Sequence, residues 1–355
     1  MTRSGLLYRL TLFLALWLPL VASAGAITGV GIAPIKIPDP VSGETTDGFV
    51  FYPSATPVGK LNQIGPYDVS ANFGTPALPG AKPLVVISHG NGGSRLGHHD
   101  MATYLASRGF IVATLNHPKD DFEDTSGVGH IEVLAGRPVQ VRATISMLLA
   151  DPRWQKLIDP NRVGVAGFSA GGYTSLMVVG AMPRFDRFVS YCEAHADDAN
   201  ICGKVGELRA EAAQSGRSLL QYAQGMQAEL DKYGPTADPR VKAAFVMAPL
   251  SLIFDEHAFD KVTAPIYLYY GQHDSVLKPA FNARHIQPLI KQLYAVKEIP
   301  NADHWVFLVP CTPDLIKDIP VLCADPKGVD RVQWHDQINE DAFNFFRKTL
   351  KVEAH

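Results

Sequence analysis

Charge is scarce in this chain. Only 19% of its 355 residues are Asp, Glu, Lys or Arg, and the formal net charge is −3. It therefore offers no basic footprint for nucleic acid or for anionic lipid. Cysteine is scarcer, four in all, with no C-x-x-C spacing and no histidine-rich surroundings, which tells against a zinc site. There is no internal repeat and no low-complexity run, so solenoid and disordered-tail architectures drop out. Near the start, Leu10 to Val21 forms an apolar run of about a dozen residues, broken by Pro19. Stable membrane insertion is not expected from it, since a bilayer span needs roughly 20. Arg3 and Arg9 before it and Ala22-Ser23-Ala24 after it give the layout of a cleavable export signal over residues 1–24. A retained N-terminal anchor is the other reading.

What is present suits a large core. Hydrophobic residues make up 46% of the chain, enough for one α/β domain over 25–355 with an insertion. Export to the periplasm or beyond would place the cysteines in an oxidising compartment. Three pairings are open to them, and the sequence-local one, Cys192–Cys202 with Cys311–Cys323, is the simplest.

Short apolar runs alternate with helix-like segments. Strands are expected at Ile32 to Ile37, Gly48 to Tyr52, Pro83 to Ser88, Phe110 to Leu115, Val163 to Phe168, Val241 to Met247, Pro265 to Tyr270 and Tyr294 to Ile299. Helices are expected over Asp100 to Arg108, Arg137 to Ala150, Ala170 to Val179 and Asp330 to Leu350. That alternation implies a mostly parallel sheet of about eight strands, the first pair antiparallel. Residues 54–82 read as loop. Residues 182–238 break the alternation, and their place between a helix and the next strand suits a helical lid or a decorative surface subdomain.

The strand Val163 to Ala166 runs into Gly167-Phe168-Ser169-Ala170-Gly171. The pentapeptide alone is a weak signal, but strand, tight turn and helix together make a nucleophile elbow. A serine hydroxyl needs a base, normally a histidine held by a carboxylate. Asp274 follows the strand ending at Tyr270, and His304 follows the strand ending at Ile299, with an aromatic, Trp305, directly after it. The order Ser169, Asp274, His304 is the one this topology requires; Asp255 is the alternative acid. His273 and Asp303 would face elsewhere. Two backbone N–H groups are needed for an oxyanion. Ala170 at the helix start supplies one, and Asn91 in His89-Gly90-Asn91-Gly92-Gly93 the other, its glycines allowing close approach. A phosphate-cradling loop would end in Gly-Lys-Ser/Thr, which is missing. Phe168 and Trp305 are the candidate substrate neighbours.

Other clusters read as structural. Asn116-His117-Pro118 is a loop-shaping element, and His98-His99-Asp100 are adjacent on a helix start and do not face one another. Asp120, Asp121, Glu123 and Asp124 are expected to form a solvated acidic loop, with calcium binding as the minor reading.

Taken together, Ser88 to Gly93, Asn116-His117-Pro118, Gly167 to Tyr173, Gly271 to Asp274 and Ala302-Asp303-His304 resemble the α/β-hydrolase superfamily. More narrowly the chain is similar, over about residues 30–350, to exported bacterial proteins called predicted dienelactone hydrolases, which are related to platelet-activating-factor acetylhydrolases. Tyr191-Cys192 and Pro310-Cys311 also look like that group. The resemblance implies a triad of Ser169, Asp274 and His304, an oxyanion donor at Asn91, no metal or organic cofactor, and a small-molecule ester as partner. True dienelactone hydrolases use cysteine where this chain has Ser169. The expected activity is therefore cleavage of short-chain or acetyl carboxylic esters. Lactone hydrolases, lipases and polyester hydrolases share the pattern, and a binding protein that has lost the chemistry is the alternative from another class.

Overall fold

Residues 26–352 are described by a computed structural model; the export signal expected over 1–24 lies outside them. In chain order the strands are β1 (Gly29–Pro38), β2 (Thr45–Ser54), β3 (Asn62–Ile64), β4 (Tyr67–Val69), β5 (Asn72–Phe73), β6 (Lys82–Ser88), β7 (Ile111–Leu115), β8 (Ile158–Phe168), β9 (Val241–Met247), β10 (Ile266–Gly271) and β11 (Leu293–Ile299). β3 and β4 pair with each other, and the others form one sheet in the order β11-β10-β9-β8-β6-β7-β2-β1-β5. From β11 to β7 every pair is parallel. β2 runs antiparallel to both β7 and β1. The eight expected strands all form, and the ninth is the two-residue β5, inside the stretch read as loop.

The central strands are apolar without alternation because both faces are covered. Leu84, Val86, Val165 and Leu268 face one core, shared with α2 (Ile131–Ala150) and α3 (Ala170–Val178). Val85, Ile87, Ala166 and Tyr269 face the other, shared with α1 (His99–Ala106) and the C-terminal helix Arg331–Thr349.

Helix α2 starts six residues earlier than the sequence suggests, and Pro138 is the reason for both facts. Proline is favoured in a first helical turn, which makes Arg137 look like a start. Here Pro138 sits inside the helix, where it has no N–H to give the carbonyl of Leu134. The Tyr173 hydroxyl donates to that carbonyl instead, at 2.9 Å.

Residues 182–238 follow α3 and precede β9. They hold α4 (Asp186–Ala194), α5 (Ala199–Cys202), α6 (Val205–Gln214) and α7 (Leu219–Glu229), the last opened by a Ser218/Gln221 capping box. Cys192 is bonded to Cys202, and Cys311 to Cys323. Closing loops of this length contributes about 2–3 kcal/mol per bridge in the chain-entropy account. Among the described residues no helix is long and apolar enough to cross a membrane.

Candidate active site

Parallel strands end at one edge of a sheet, and the loops after them meet there. In this chain that edge gathers the loops after β6, β7, β8, β10 and β11. The turn after β8 holds Ser169 at φ 56° and ψ −116°, a conformation that disfavours any side chain. It persists because the neighbours fix it: Ser169 N–H donates to the Met247 carbonyl at 2.9 Å, and its carbonyl accepts from Leu250 N–H at 3.1 Å. A Cβ at Gly167 would collide with the Gly171 carbonyl, and one at Gly171 with the Ser88 carbonyl. Only hydrogen fits at these two positions.

The structure brings Ser169, His304 and Asp274 together. Ser169 Oγ lies 3.0 Å from His304 Nε2, and His304 Nδ1 lies 2.7 Å from Asp274 Oδ2. The other Asp274 oxygen accepts from the N–H groups of Val276 at 3.0 Å and Leu277 at 2.6 Å. Both acceptor sites of the carboxylate are thus committed, and the imidazole has one orientation. Asp303, the neighbour expected to face elsewhere, ties the two loops to each other. Its Oδ1 accepts from Ser275 N–H and His304 N–H, each at 2.7 Å. His273 is exposed and donates its backbone N–H to Ala302 at 2.9 Å. Asp255, the alternative acid, pairs instead with Arg184 at 3.5 Å.

Ala170 is the first residue of α3 and Asn91 sits on the loop after β6. Neither backbone N–H has an acceptor among the described residues. Both residues line the same cavity as Ser169. Phe168 is buried with its ring 4.6 Å from that of His304, centre to centre. It supports the imidazole from the core side. Trp305 stands edge-on to His304 at 5.1 Å. Phe168 and Trp305 line a second cavity, which shares Asn91 with the first.

The acidic loop is not solvated as expected. Asp120 is 1% exposed and Asp121 8%, while Glu123 and Asp124 are exposed. Asp120 is drawn in by Arg137, itself 1% exposed, at 2.6 Å. Burial pushes the Asp120 carboxyl up against the pull of Arg137. Asp120 also accepts from Gly92 N–H at 3.0 Å and from the Asn91 carboxamide. Arg137 donates to Thr174 Oγ1 at 3.1 Å, to Ser88 Oγ at 3.3 Å and to the His89 carbonyl. The chain of contacts continues from Ser88 to His117 at 2.8 Å, to Gln140 at 2.7 Å and to Asp39 at 3.0 Å. This buried network holds the loop at 89–93 against the elbow. Sequence reasoning missed it, although Arg137 stands four residues before Val141 and so shares the apolar face of α2. Among the described residues no group of three or more His, Cys, Asp or Glu side chains is placed to hold a metal ion.

Asn116 shapes its loop, as expected, by accepting from Arg95 N–H at 2.8 Å. His98, His99 and Asp100 point to three different partners: the Phe168 ring, the Tyr67 ring and His335.

Several of these histidines are buried without charge. Burial pushes His98 down to about 4, and burial with the nearby Arg137 charge holds His89 and His117 well below the usual range. Such a group takes up a proton on unfolding but not in the folded chain. Its contribution is complete above about pH 6.5 and is lost as the pH falls. Stability should therefore drop below about pH 6.5 by up to about 1.4 kcal/mol per pH unit for each histidine. Urea midpoints at pH 7.5, 6 and 5 check this; a constant midpoint would contradict neutral burial of the three rings.

A mostly parallel sheet with a serine elbow after its central strand defines the α/β-hydrolase fold. The chain belongs to the Alpha/beta hydrolase family, whose sequence model matches residues 84–312. Among solved structures it is similar to a ferulic acid esterase from Streptomyces cinnamoneus. The TM-score is 0.59 at 19% identity, over 94% of this chain and 94% of that one. No curated protein sequence matches.

Proposed function

We propose that this chain is an exported serine hydrolase that cleaves carboxylic esters through an acyl-enzyme on Ser169. The observation that carries the reading is the continuous relay from Ser169 Oγ through His304 to Asp274, at 3.0 and 2.7 Å. His304 Nε2 takes the hydroxyl proton as Oγ attacks the acyl carbon, and Asp274 stabilises the imidazolium. The free N–H groups of Ala170 and Asn91 receive the oxyanion. Losing one such donor typically costs about 3–4 kcal/mol of barrier. His304 then protonates the leaving alcohol and activates the water that releases the acid.

Export rests on the signal pattern at 1–24 and on the two bridged cysteine pairs, which suit an oxidising compartment. Residues 182–238 act as a cap, since α4, α6 and α7 all contribute walls to the cavity at Ser169. The test is covalent labelling by a fluorophosphonate probe together with turnover of p-nitrophenyl esters. Label on Ser169 with ester turnover is expected; absence of both would leave a binding protein on a hydrolase scaffold. Ferulic acid esters belong in the same panel, given the esterase that shares the fold.

A further inference from the structure

The cavity beside Ser169 is larger than an acetyl group needs, and its chemistry is one-sided. Its volume is about 310 Å3. A buried methylene takes up about the space of a water molecule, roughly 30 Å3. The walls are mainly aliphatic and aromatic: Leu134 from α2, Ile253, Phe188 from α4, Leu208 from α6 and Met226 from α7. The polar side chains that reach the cavity are already engaged. Asp120 is paired with Arg137, and the Asn91 carboxamide with Asp120. The Tyr173 hydroxyl is given to the Leu134 carbonyl, Tyr222 to Glu211 at 3.3 Å, and Asn200 to the Ser275 carbonyl at 3.0 Å. Lys204 extends to the Thr125 carbonyl at 3.5 Å. Lys204 aside, whose single contact is this long one, a charged or hydroxylated acyl group would meet polar side chains that are already paired, and its burial would be unfavourable.

Ser169, Ala170 and Asn91 all open onto this cavity. The second cavity, about 340 Å3 and walled by Trp305, Phe168 and Tyr67, is not lined by Ser169 or Ala170. After acylation the acyl carbon is bonded to Ser169 Oγ with its oxygen toward Ala170 and Asn91, so its chain extends into the first cavity. Trp305 follows His304, the group that protonates the leaving alcohol, and so places the alcohol on the side of the second.

Resting on the reading of Ser169 as nucleophile, we infer that the substrates are esters of uncharged aliphatic acids of about six to ten carbons, held in the pocket that α6 and α7 close. In a p-nitrophenyl series from acetate to dodecanoate, kcat/KM is expected to rise about two- to fourfold per added methylene up to that length and then to fall. Met226→Trp should move the optimum to shorter chains, and Met226→Ala should move it to longer ones. If the tryptophan variant does not fold, the alanine variant alone decides. Acetate as the best substrate, or variants that alter all chain lengths equally, would overturn the inference and leave the esterase reading standing. Retention of turnover in Ser169→Ala would remove that reading as well.

Discussion

Ser169→Ala is expected to lower kcat on p-nitrophenyl esters by at least about 10⁴-fold, with the fold and KM little changed. The methyl group of alanine fits wherever the serine Cβ already lies, so the elbow geometry survives. What disappears is the bond-forming oxygen, 3.0 Å from the ring nitrogen of His304 that is placed to deprotonate it. The residual rate would come from the oxyanion donors and from positioning, which by themselves can give roughly 10³–10⁴ over water. Asp274→Asn tests the same relay from its other end. It should cost less than loss of the nucleophile, because the imidazole keeps a partner but in the wrong tautomer. A Ser169→Ala enzyme that turns over ester at the wild-type rate would place the chemistry elsewhere.

Arg137→Met carries the second large effect, on stability. It strands the Asp120 carboxylate, which is almost wholly buried. Breaking a buried ion pair from one side typically costs about 3–5 kcal/mol, whereas replacing both members is often close to neutral. The single variants Arg137→Met and Asp120→Ala should therefore unfold at much lower urea than the parent, and the double variant should recover much of the loss. Turnover should not recover with it. Asp120 is also the acceptor for Gly92 N–H and for the Asn91 carboxamide, and without it the loop carrying Asn91, a proposed oxyanion donor, is no longer held. Urea unfolding and kcat measured on the three variants separate the two roles. Additive losses in the double variant would show that the pair is not coupled.

The sheet was legible because buried parallel strands announce themselves as unbroken apolar runs, as in Leu84 to Ile87 and Val163 to Ala166. Gly167 and Gly171 were legible too, since each stands where a carbonyl leaves no room for a Cβ. The loops carrying Asp274 and His304 could be placed because each directly follows a strand. The buried network was not legible. An aspartate in an acidic loop and an arginine beside a proline are each most simply solvated, and only the fold shows that they share a buried site. The short strands β3 to β5 escaped for a different reason: two or three residues carry no periodicity.

Pro138 shows how an apparent defect can be structural. Replacing it with a strong helix former would restore the missing N–H within α2, a change that ordinarily strengthens a helix. The restored donor would then compete for the oxygen that anchors the Tyr173 phenol, and a hydroxyl deep in the interior would lose its acceptor. The helix that carries Arg137 and the helix that begins just after Ser169 are fastened at this point, so smoothing the first would loosen its hold on the second.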